Sequence, residues 1–258
     1  MSKWDYIVEE MRLEDGSEGL TEDEIYMAAV ERGDMETAAR MVAEAAKRAM
    51  PNTKITDDAG NPKIVYKGGV KKGLNVFDWG HWANSFFVSD KDIADGFTSK
   101  FEFHNQGTFG YYINMERPLV FDCHGDEFAY IPIDMELARK FGIVDGAKHH
   151  WQYHEWMQGE RNAESEKTGI GYYPSELVAQ QIHKANISGD LPYDGIIFHD
   201  VREGAENPDA PLSNPTDDIL PSFGSSQIKS ADPVTRDDRG NIIPLSKRFD
   251  PDTFDSRY

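Results

Sequence analysis

The sequence predicts an α+β fold, in which a mostly antiparallel sheet with inserted helices follows a helical hairpin. Three observations carry this. Residues 21–50 repeat apolar side chains at helical intervals between start and stop signals. From residue 52 the texture changes to short β-type runs split by turn residues. Further on, the compact apolar run "YDGIIFHDV" comes directly after a polar helical segment, "PSELVAQQIHKANISGD".

The elements follow in order. Thr21 stands three residues before Glu24, the spacing of a capping box, and opens the first helix. Gly33 and Asp34 interrupt it, Asp34 caps a second, alanine-rich helix, and Pro51 closes that one. "TKITDDAGNPKIVYKGG" then places β-type runs on either side of Asp57, Asp58, Gly60, Asn61 and Pro62, which is turn chemistry. "NSFFVSD" and "TFGYYINMERPLVFD" read as further strands. Residues 135–172 show no clean period, and residues 203–222, dense in Pro, Asp and Asn, read as a long loop. A second turn, "RDDRGN", lies in the last block.

Composition bounds the function. The 258 residues are 39% hydrophobic and 12% aromatic, enough for a core. Lys and Arg number 27 against 46 Asp and Glu, a formal charge of −19, which opposes unspecific binding to phosphate backbones or anionic lipid. Cys123 is the only cysteine, which leaves no disulfide framework or cysteine zinc site and suits a reducing compartment. No apolar run approaches the roughly eighteen residues of a membrane span, and the N-terminus is acidic. The chain therefore reads as soluble and cytoplasmic, without a signal peptide.

Several catalytic motifs are absent: no Walker loop, dinucleotide GxGxxG, HExxH or GxSxG occurs. His150 and His154 share a helical spacing beside His149 and Glu155, but no third ligand is suggested nearby, so no metal is expected. Gly68 and Gly69 end a β-type run, and glycine there admits either a tight turn or the close approach of a flat ligand.

Four blocks, "GNPKIVYKGG", "NSFFVSDKDIADGF", "YDGII" and "SSQIKSADPVTRDDRGNIIPLSKRF", occur in an order that resembles the ADP-ribosyltransferase-like domains of phage and mobile-element polyvalent proteins. In that family the first block reads like "VYHGT" and the last carries a glutamate or glutamine before "IKS". The resemblance spans about residues 52–258, and residues 1–51 look like the helical hairpin segment that often precedes the domain. It implies a split antiparallel sheet core of the ADP-ribosyltransferase type. It also implies NAD as substrate, cleavage of the nicotinamide–ribose bond, and transfer of ADP-ribose to an unknown acceptor macromolecule such as a host protein.

Matched motif by motif, Lys67 stands at the family's histidine position and Gly68 where the glycine backbone holds the nicotinamide amide. Phe86 and Phe97, eleven residues apart, stand at the two aromatic positions that sandwich the nicotinamide ring; Tyr66 and Phe87 complete the candidate NAD-binding set. Ala94 sits where a hydroxyl is often found, and Gln227 stands at the glutamate position. The chemistry differs from the family's: lysine is a charged donor with no acceptor, and glutamine offers neither a base nor a negative charge for a cation-like sugar. Asp194 or Asp200 is placed either to select the acceptor or, for Asp194, to form a turn. Trp79 and Trp82, flanking His81, either line a pocket or cover a sheet. Two further readings stay open: a catalytically weak or inactive transferase fold that binds nucleotides or proteins, and an acidic decoy.

Overall fold

The computed structural model describes residues 20–77, 86–100, 105–126, 128, 130–149, 167–187, 192–202 and 216–258. Among these, a hairpin of helices α1 (Glu22–Glu31) and α2 (Met35–Ala49) precedes strands β1 (Val65–Lys71) and β2 (Phe86–Val88). Helix α3 (Lys91–Lys100), β3 (Gln106–Ile113), β4 (Pro118–Asp122) and β5 (Ile131–Asp134) follow. Two short helices, α4 (Met135–Lys140) and α5 (Ile143–Ala147), lead to β6 (Ile170–Tyr173) and α6 (Ser175–Ile187). The chain ends through β7 (Gly195–Arg202), β8 (Thr216–Pro221), a 3-10 turn (Ser225–Gln227) and β9 (Ile228–Ser230).

The hairpin forms where its caps dictate. The Thr21 hydroxyl accepts from the Glu24 amide at 3.3 Å, and the Glu24 carboxylate accepts from the Thr21 amide at 2.7 Å. Asp34 accepts from the Thr37 amide at 3.0 Å. Each such cap is worth about 1 kcal/mol. The hairpin's apolar stripe, with Tyr26, Met41 and Val42, packs against Tyr112 of β3 and against Leu245 and Phe249. The two aspartate turns are alike: Asp57 accepts from the Ala59 and Asn61 amides, and Asp237 from those of Arg239 and Asn241.

Seven strands form one sheet in the order β4-β7-β8-β2-β1-β3-β9, antiparallel except for the β4–β7 pair; β5 and β6 form a small second sheet. Only residues 114–117 link β3 to β4, yet these strands lie five places apart in the order. In a flat sheet that separation would be about 24 Å, whereas the link, Cα113 to Cα118, reaches at most about 18 Å. The sheet must therefore curl. Glycine at 195, the first residue of β7, fits this: a β-carbon there would lie 2.7 Å from the Met115 sulfur and 2.9 Å from the Pro221 carbonyl oxygen.

Alternation along the strands divides the core in two. The inner face of the curl gathers Val65, Phe87, Tyr111, Ile113, Leu220 and Ile228, together with Phe77. The other face gathers Val88, Phe121, Ile196, Phe198 and Ile219 under α3, α5 and α6. Full burial of a phenylalanine such as Phe87 or Phe198 stabilises by about 2–3 kcal/mol.

Two sequence expectations change here. Residues 216–221 of the expected 203–222 loop form β8, because pairing with both β2 and β7 overrides a composition rich in breakers; residues 203–215 lie outside the described residues. Within 135–172, which has no readable period, α4, α5 and β6 form. No helix among the described residues is long and apolar enough to cross a membrane.

Candidate active site

β1 carries Tyr66, Lys67 and Gly68 through the middle of the curl, and alternation sends their side chains to opposite faces. Lys67 points inward, as Val65 does. It is 9% exposed, its ammonium donates to the Phe86 carbonyl at 2.9 Å, and it lies 5.5 Å from the centre of the Phe87 ring. Burial pushes its pKa down to about 7, because the charged form loses hydration in the interior.

The outer face carries Tyr66 and Phe86, both packed on the α6-side core, and Phe86 meets Phe128 edge-on at 5.7 Å. Gly68 is pressed against α3: a β-carbon there would overlap the Ala94 carbonyl oxygen and lie 3.0 Å from the Phe97 β-carbon. The glycine thus lets helix and strand approach at the point where Ala94 and Phe97 converge on the backbone. Gly69 follows with φ +66, a conformation that glycine adopts readily. The strand bulges here, since Lys67 pairs with Phe109 but Val70 pairs with Gly107.

Gln227 sits where the curled sheet closes. Its Oε1 accepts from the Gly224 amide at 2.6 Å and from the Ser222 hydroxyl at 3.1 Å, and its Nε2 donates to the Asn114 carbonyl at 2.9 Å. These partners, a main-chain donor on one side and a main-chain acceptor on the other, fix which end of the amide is which. Asp194 clasps the same corner. Its carboxylate accepts from the Glu116 amide at 2.7 Å and the Arg117 amide at 2.9 Å, while its carbonyl accepts from Phe223. Asp194 is therefore a turn former; Asp200, at φ +54 on β7, lies beside the His199–Asp218 pair, 2.7 Å apart.

The structure brings the candidates together in part. Gly68, Ala94 and Phe97 meet on one face, and Lys67 and Phe87 on the other. Lys67 and Gln227 lie at the two ends of one path: Lys67 holds the Phe86 carbonyl, Phe86 pairs with Pro221, and the adjacent Ser222 holds Gln227. His81, Trp79, Trp82, His150, His154 and Glu155 lie outside the described residues.

Two features escape sequence reading. Ser222 is fully buried against Gln227, a contact between residues five apart that no period announces. A cleft of about 260 Å³ also opens along the inner face beyond Lys67, walled by Val70, Phe109 and Tyr111 and rimmed by Lys71, Arg236 and Arg257. Asp232 lines the same cleft, Arg257 is already paired with Asp255 and Asp238, each at 2.7 Å, and Arg236 donates to the Gly240 carbonyl at 2.9 Å. Cys123 offers no nucleophile: it is buried, which pushes its thiol up to about 12, with nearby aspartates adding to the shift.

No curated protein and no solved structure matches the chain. A protein family does, that described as ADP-ribosyltransferase in polyvalent proteins, over residues 57–236. The match runs from the first aspartate turn, through the Lys67–Gly68 bulge and the Gln227 corner, to the second turn. With more than half of its length matched, the chain belongs to the ADP-ribosyltransferase family of polyvalent proteins.

Proposed function

We propose that the protein uses NAD as substrate, cleaves the nicotinamide–ribose bond and transfers ADP-ribose to an acceptor macromolecule, a host protein of a bacterial or phage-infected cell. The family match over residues 57–236 carries this reading. Residues 52–258 are then the transferase domain and residues 1–51 its leading helical segment. The nicotinamide ring goes to the Gly68 bulge between Phe86 and Phe97, with Tyr66 and Phe87 supporting the strand pair on its two faces. Lys67 and Gln227 take the places of the family's histidine and glutamate.

The two departures shape the chemistry. A lysine whose pKa falls to about 7 is partly neutral at neutral pH, so Lys67 can occupy the apolar interior, where it holds the carbonyl of Phe86, one of the two ring-clamping residues. Gln227 holds the corner rigid but brings no negative charge to a cation-like ribose, so the rate acceleration rests on binding and exclusion of water. One observation favours the second reading, a nucleotide-binding module without transfer: the Gln227 amide is engaged at both ends, by the Gly224 amide and Ser222 hydroxyl on Oε1 and by the Asn114 carbonyl on Nε2.

Chromatographic measurement of free nicotinamide, after incubation with NAD in the presence and absence of bacterial lysate, tests both. Release that depends on lysate supports transfer, and release without it supports hydrolysis. NAD-dependent thermal stabilisation without release supports the binding module. Neither release nor stabilisation overturns NAD as the ligand.

A further inference from the structure

The β1 bulge leaves an amide that the β1–β3 ladder does not use, and the chain provides a particular acceptor for it. The Gly69 amide donates to the Thr98 hydroxyl at 2.8 Å. Thr98 lies on α3 one turn beyond Ala94, whose carbonyl oxygen is 3.5 Å from its hydroxyl. Its Oγ1 is also 2.8 Å from the Thr108 Oγ1, and Thr108 is the β3 residue that faces the bulge. The Thr108 hydroxyl in turn hydrogen-bonds Asp95, whose carboxylate pairs with Lys91 at 2.6 Å.

The direction of this chain follows from proton counting. An ionised carboxylate only accepts, so Thr108 donates to Asp95. Its single hydrogen is then spent, so in the 2.8 Å contact between the hydroxyls Thr98 is the donor. The Thr98 lone pairs are thereby turned toward Gly69. Every hydrogen runs one way, from the Gly69 amide through two hydroxyls to a charge held on α3, and each bond polarises the next.

We propose that Thr98 is a positioning residue for the transferase reaction. Oriented by Thr108 and Asp95, it locks the Gly68–Gly69 bulge in the geometry that receives the nicotinamide end of NAD. This rests on the reading that NAD binds at Gly68.

The test compares wild type, Thr98→Val and Thr98→Ser in NAD titrations and in amide hydrogen exchange at Gly69. Thr98→Val keeps the shape and removes the hydroxyl. It should speed Gly69 exchange and weaken NAD affinity by about three- to tenfold, the worth of one hydrogen bond, with any kcat changed far less than KM. Thr98→Ser should restore both. Asp95→Ala, a change at the exposed end of the chain, should weaken affinity in the same direction and serves if Thr98→Val does not fold. NAD binding by wild type with undiminished affinity in Thr98→Val, or in Asp95→Ala where that variant replaces it, overturns the positioning role and leaves the function standing. Failure of serine to rescue also overturns it. Absence of any NAD binding by wild type overturns the function, and the positioning role with it.

Discussion

Replacing Gln227 by glutamate, the residue the wider superfamily places there, should destabilise this protein, and in a pH-dependent way. The amide works at both ends: Oε1 takes the Gly224 amide and the Ser222 hydroxyl, and Nε2 gives to the Asn114 carbonyl at 2.9 Å. A carboxylate keeps the first two bonds but turns an oxygen toward the Asn114 carbonyl. The lost bond and the facing acceptors together cost about 2 kcal/mol, or about 4–8 °C of melting temperature for a chain of this size. A protonated carboxyl would instead donate to Asn114, so the folded state raises the carboxyl pKa. Two kcal/mol corresponds to about 1.5 pH units, from about 4.3 to about 5.8. Because the folded state then holds the proton more tightly, the deficit is absent well below pH 4.3 and grows as pH rises through 5.8. It should be about half as large at pH 5 as at pH 8. Thermal unfolding of Gln227→Glu beside wild type at the two pH values measures this. Equal melting at pH 8, or a larger deficit at pH 5, would refute the account of the corner.

Gly68→Ala should cost at least about 2 kcal/mol by overpacking, since its β-carbon would overlap backbone of α3 rather than a side chain able to swing away; chemical denaturation reads the loss, and wild-type stability would refute the close approach. Lys67→Met should gain stability relative to wild type, most at pH 7 and below. The folded-state pKa of Lys67 is lowered to about 7, so the unfolded chain binds the extra proton between about 7 and 10.4 and wild type recovers stability as pH rises through that window. Melting at pH 6 and pH 9.5 checks the sign, and a gain larger at pH 9.5 would contradict it.

The sequence by itself determined the elements whose signals act over a few residues. Thr21 with Glu24, and Asp34, open their helices because a cap and the amide it accepts from lie three residues apart. Asp57 and Asp237 make their turns for the same reason. The resemblance was legible too, because its blocks are contiguous runs; the family match covers 57–236, although the blocks themselves assign no partner to any side chain.

Only the tertiary structure decided what the candidate residues touch. Gln227, read as a site residue from its motif, meets Asn114 and Ser222, and Asp194 meets Glu116 and Arg117, because a four-residue link forces a seven-stranded sheet to curl and bring three distant loops to one corner. β8 forms in a breaker-rich segment because two neighbouring strands offer it hydrogen bonds. Lys67 is buried, and its pKa lowered, by a strand alternation visible in the sequence but a sheet face that is not: which side of β1 becomes interior depends on which way the sheet bends. Local spacing fixes caps and turns, whereas closure over more than a hundred residues fixes the environment in which any chemistry takes place.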